Sequence, residues 1–185
     1  MRISTSFDEQ LREQALCADP LEEAIASGRD DLATLREKLR KSPNELDRTR
    51  LARVLNRLSD HLRLADQLDD ALAYSDEAIE IWRSFGRERA AYLAQLRRAK
   101  ILFRSSRGTE GLSEANALVE QADAPPFEIY RDFALQLRGR IHAGEHDFGA
   151  AVADLEEALE IRRRRGRQRL VERTERLLEL VREGM

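Results

Sequence analysis

The stretch LDDALAYSDEAIEIWRSFGRER at 68–89 returns eighty positions later as FGAAVADLEEALEIRRRRGRQR at 148–169. Aligned without a gap, ten of the twenty-two positions are identical: Ala71/Ala151, Ala73/Ala153, Glu77/Glu157, Ala78/Ala158, Glu80/Glu160, Ile81/Ile161, Arg83/Arg163, Gly86/Gly166, Arg87/Arg167 and Arg89/Arg169. Chance at this composition gives about two, so the chain is built from recurring units. An offset of eighty is two units of forty. The intervening unit carries its own copy in GLSEANALVEQA at 111–122, where Ala115 and Ala122 keep the seven-residue spacing of Ala71 and Ala78. A weaker echo is GRDDLATLREKL at 28–39, with Leu32 and Leu39.

Working outward, small polar residues followed three positions later by Glu mark helix starts, and glycines mark ends. Ser6 with Glu9 predicts a first helix; Asp19, Pro20 and Glu22 open a second that Gly28 closes; a third covers 30–41. Ser42, Pro43 and Glu45 start a long helix to about Asp66, with Leu51, Val54, Leu55, Leu58 and Leu62 at the spacing of a buried face. Further helices are expected at 68–85, 88–105, 110–122, 126–142, 147–164 and 167–183. Connections of two to six residues fold each helix back on the one before it, so the fold expected is all-α, a series of antiparallel helical hairpins.

Small residues seven apart leave a shallow helix face on which a neighbour can lie closely. Ala71/Ala78, Ala115/Ala122 and Ala151/Ala158 supply that face on every second helix, and Ser59, Ala99 and Gly139 supply a small residue on the helices before them. In this the chain resembles the tetratricopeptide repeat family. Its motif ALEIRRRRG and forty-residue period are most like the longer-unit variety found in kinesin light chains and many bacterial regulators. The resemblance implies a right-handed solenoid: atypical N-terminal helices over 1–43, units at 44–86, 87–124 and 125–166, and a capping helix at 167–185. Terminal units of solenoids are commonly atypical because they close an open end.

Composition agrees with a helical chain. Of 185 residues 36% are charged, aromatics are 5%, and the mixture is rich in strong helix formers. With 32 Lys+Arg against 35 Asp+Glu the net charge is -3, which argues against bulk nucleic-acid affinity and makes a nucleic-acid-binding regulator the least favoured reading. The segment MRISTSFDEQLREQ has no apolar core of a signal peptide, and no long uncharged apolar stretch occurs, so no membrane span and a cytoplasmic location are expected. A lone Cys17 suits a reducing compartment and is expected to be a buried helical residue.

Chemistry-bearing motifs are sparse. HAGEH at 142–146 matches a zinc-protease pattern in letters, but Gly144 and its place between two helices predict a turn. Ser59, Asp60 and His61 are consecutive, and consecutive helical side chains point about 100° apart, which no catalytic triad tolerates. Phosphate loops, dinucleotide fingerprints and paired cysteines are absent from the sequence; it points away from an enzyme and implies no cofactor and no metal. Tyr74, Ala78, Trp82 and Phe85 form a stripe expected to pack in the core. The run of six arginines over 162–169 reads as the solvated end of the stack, with Trp82 and Phe85 replaced by Arg162 and Arg165 because burial is lost there.

Between Arg89 and Thr109 six cations occur without an acidic residue, and Arg97, Lys100, Arg104 and Arg107 share one helical stripe opposite Leu96, Ala99 and Phe103. First helices of tetratricopeptide units line a concave groove. The resemblance therefore implies a partner-binding groove formed by Arg53, Asn56, Asp60, Arg97, Lys100, Arg104, Gln136 and Arg140. Such a groove suits an acidic or C-terminal-carboxylate segment of another protein, held by charge-assisted hydrogen bonds. A self-associating homodimer is the alternative partner.

Overall fold

The computed structural model describes residues 5–7, 13–105 and 107–184, and 82% of these residues are helical, in eight α-helices and one 3₁₀ turn. The N-terminus departs from expectation. Glu9 lies outside the described residues, and Ser6 is extended: Thr5–Phe7 (β1) pairs antiparallel with Glu13–Ala15 (β2), Phe7 standing opposite Glu13. Phe7 and Glu13–Ala15 are thus strand and not helix, the positions of the expected first helix between them lie outside the described residues, and Thr5 and Phe7 are good strand formers.

The expected second and third helices are one, α1 (Ala18–Lys41), with Gly28 in its interior. Gly28 is small for contact: a Cβ added there would lie 3.1 Å from Leu58 Cδ1. That close approach outweighs the roughly 1 kcal/mol of helix propensity a glycine forfeits. Cys17 is not buried; it is the exposed residue immediately before α1.

The next helix, α2 (Glu45–Leu64), is capped two residues later than Ser42–Pro43 suggests, by Asn44, whose side chain accepts from the Asp47 amide at 2.8 Å. Then come α3 (Leu68–Ser84), α4 (Glu88–Arg104), α5 (Gly108–Gln121), α6 (Arg131–Gly144), α7 (Phe148–Arg164) and α8 (Gln168–Glu183). Only α6 starts well after its expected position. Pro125 and Pro126 lack amide donors, and a 3₁₀ turn at Glu128–Tyr130 precedes it.

Each helix packs on its chain neighbours, and α4 also touches α2 and α6. The repeat is written in the backbone as well as in the letters. Asp66 and His146 (φ 57° and 63°) and Gly86 and Gly166 (φ 62° and 64°) are left-handed, each pair eighty residues apart. The turn at His146 ends α6, so His142, Glu145 and His146 do not share one helix face. Ser59, likewise, is buried and donates to the Asn56 carbonyl at 3.1 Å.

Ser59, Ala71, Ala78, Ala99, Ala115, Ala151 and Ala158 are all fully buried. At Gly139 even a methyl group would be crowded, because its Cβ would lie 3.1 Å from the Ala151 carbonyl oxygen. Of the aromatic stripe, Trp82 and Ala78 are buried, and Tyr74 and Phe85 are half-buried. The arginine run meets its reading as a solvated end only in part: Arg163, Arg164, Arg165 and Arg169 are exposed, and Arg162 is the exception. Arg162 is 0% exposed and pairs with Asp132, equally buried, at 3.0 Å. Burial was kept at this position and its chemistry changed. No helix among the described residues is long and apolar enough to cross a membrane.

Candidate functional site: a basic groove across α2, α4, α6 and α8

Asp60, Lys100 and Arg140 recur at intervals of forty on α2, α4 and α6, so one turn of each helix presents the same position to the same side. They line one cavity of about 250 Å³ together with Arg97, Gln136 and Arg173. Leu93, Leu96, Phe133, Leu137 and Leu170 give it an apolar lining. Five of the eight residues expected from the sequence therefore meet in one place. Arg53 and Asn56 line an adjoining hollow of about 440 Å³ with Trp82 and Arg87; Arg97 and Leu93 border both hollows.

Arg104 is placed differently. Its guanidinium holds Asp66 through two hydrogen bonds of 2.6 and 2.8 Å, and Nη1 donates to the Glu13 backbone carbonyl at 3.0 Å. It is an anchor for neighbouring chain, and it borders a separate hollow against α1. Arg107 lies past the end of α4 and bonds Glu110 at 2.8 and 2.5 Å, so the sequence stripe shortens to Arg97, Lys100 and Arg104.

The sequence reading missed the anion in the groove. Glu13 on β2 is 8% exposed; its carboxylate accepts from Arg63 at 3.1 Å and from Arg173 of α8. The guanidinium carbons of Arg140 and Arg173 each lie 5.0 Å from the ring centroid of Phe7, its cross-strand partner, a cation–π distance in both cases. Arg173 was within reach of the repeat register, since Arg53, Leu93, Phe133 and Arg173 are successive forty-residue steps. Glu13 and Phe7 were not, because they stand on β-strands that the helical pattern does not describe.

Electrostatics follow from this enclosure. Burial pushes the Glu13 carboxyl up, but Lys100, Arg140, Arg63 and Arg173 outweigh it and hold the group well below the usual carboxylate range. Its contribution is thus complete above the ordinary glutamate pKa and lost only as pH falls through the lowered value. Burial also opposes the charge of Asp60, yet Arg63 and Lys100 leave it lowered. Lys100 goes the other way: burial lowers its pKa despite Glu13 and Asp60. Arg63, 3% exposed, bonds both Asp60 (2.8 and 3.0 Å) and Glu13, and so ties α2 to the hairpin.

The groove thus offers four cations against two carboxylates over an apolar floor. By charge and shape that combination suits acidic and aromatic groups. Groups of metal-ligating side chains are not found among the described residues. Comparison with protein-family models, with curated proteins and with solved structures finds no match to this chain.

Proposed function

We propose that the chain is a protein-interaction module. In this reading its hairpins stack as a right-handed tetratricopeptide-like solenoid of about four units closed by α8, and its concave groove takes an acidic or C-terminal-carboxylate segment of another protein. The observation that carries the reading is the convergence of Lys100, Arg97, Arg140 and Arg173, from three helices, on a cavity that already accommodates a carboxylate. Arginine forks on an anion in a partly desolvated groove supply affinity, and the leucines and Phe133 supply shape.

The test is fluorescence anisotropy with labelled peptides rich in Glu, Asp and Phe, and with charge-inverted Lys counterparts. The acidic set should bind, more tightly at low salt, and the Lys set should not. Arg97→Glu with Gln136→Glu places two anions on the cavity wall without touching Arg104 or Arg63, which hold neighbouring chain. It should weaken acidic peptides at least about tenfold with an unchanged melting temperature. Equal binding by this variant would falsify the groove assignment.

A further inference from the structure

The groove already holds part of the chain's own β1–β2 hairpin: Glu13 lines it, and Phe7 packs beside two of its arginines, Arg140 and Arg173. Phe7 and Glu13 are a cross-strand pair, so both side chains leave the hairpin on one face. That face meets a complementary one. The ring lies within cation–π distance of both Arg140 and Arg173; the carboxylate meets Arg63 and Arg173; Arg104 grips the backbone carbonyl of Glu13. Arg173 is shared by both halves of the pair, which makes one guanidinium read ring and carboxylate together.

We propose that this hairpin is a built-in occupant of the groove, and that the partner is a segment presenting the same pair, an aromatic ring and a carboxylate on one face of an extended chain, which displaces it. The inference rests on the groove reading above and gives it a ligand chemistry. It also gives it a threshold. A protein whose binding-competent state is a fraction f of the population shows an affinity reduced by that fraction, so a hairpin docked in ninety-nine molecules of a hundred weakens the partner about a hundredfold. Loosening the hairpin raises apparent affinity without altering a groove residue.

The probe is a fluorescein-labelled peptide with the sequence of residues 1–16, MRISTSFDEQLREQAL, titrated into the full chain and into the full chain carrying Phe7→Ala and Glu13→Gln. The doubly substituted chain should bind at least about tenfold more tightly than the wild type. The peptide bearing the same two changes should not bind, and adding Arg173→Ala to the opened chain should cost about tenfold. Equal affinity in both chains overturns occlusion and leaves the groove reading standing. No binding to either chain, with the acidic peptides above still bound, overturns the hairpin as a ligand; loss of both kinds of binding removes the groove reading itself.

Hydrogen exchange on the unsubstituted chain needs no folded variant. Saturating acidic, aromatic peptide should speed amide exchange at residues 13–15, whereas an unchanged rate with the groove occupied overturns displacement. A wild-type dimer that the double substitution dissolves would place the hairpin in a second copy, against the proposal.

Discussion

The two copies of the repeat bury the same three positions with opposite chemistry. In the early copy Ala52, Trp82 and Ala94 come together in an apolar cluster with Ile79 and Ala91. Eighty residues later the positions hold Asp132, Arg162 and Thr174, all 0% exposed, with Arg162 donating to Asp132 at 3.0 Å and to Thr174 at 2.5 Å. Arg165 and Arg167, which replace Phe85 and match Arg87, add contacts to Asp132 at 3.0 and 3.2 Å. One backbone geometry thus accepts either a large indole between two methyls or a guanidinium between a carboxylate and a hydroxyl. Volume and connectivity are what the fold demands here. Polarity is free, provided it is complete.

Completeness is where the two sites should separate under mutation. The largest effect is expected from Asp132→Ala, which strands Arg162 without its counter-ion and should cost about 3–5 kcal/mol in urea unfolding. Trp82→Ala, which leaves a cavity and nothing charged, belongs in a similar range of about 3–5 kcal/mol. A smaller effect is expected when the later site is converted whole. Asp132→Ala, Arg162→Trp and Thr174→Ala together should recover most of the loss, since replacing a buried ion pair by packed apolar groups is often neutral or stabilising. If the triple variant is no better than Asp132→Ala, the two sites are not interchangeable.

The smallest effect is Trp82→Phe. Trp82 Nε1 is buried without a hydrogen-bond partner among the described residues, so losing it removes an unsatisfied donor while giving up some apolar area. The change should stay within about 1 kcal/mol, where an indole with a satisfied N–H would lose more. A loss well beyond that would mean the indole fits its site more closely than the comparison implies.

Most of the helical order was legible because its causes are local. Gly86 and Gly166 end helices for lack of a Cβ penalty at positive φ, and the alanine pairs announce close helix contacts. Gly28 misled, because a glycine that ends a helix and a glycine that admits Leu58 look alike in one dimension. Asp66 and His146 were missed as left-handed residues for the converse reason, since neither is a glycine. The meeting of Asp60, Lys100 and Arg140 at one cavity follows their register of forty. Its β-strand lining was not legible, because Glu13, although four units of forty from Arg173, stands on a strand and not on a helix of the repeat, and its other partner Arg63 is 50 residues away.

Cys17 acquires a different significance from its place in the fold. It is the single cysteine of the chain, exposed, and two residues beyond the end of β2. A maleimide dye would therefore attach at one site only, next to the strand that carries Glu13 and with no cysteine to be engineered away. The natural molecule comes with its own position for an optical gauge of whether that strand is seated.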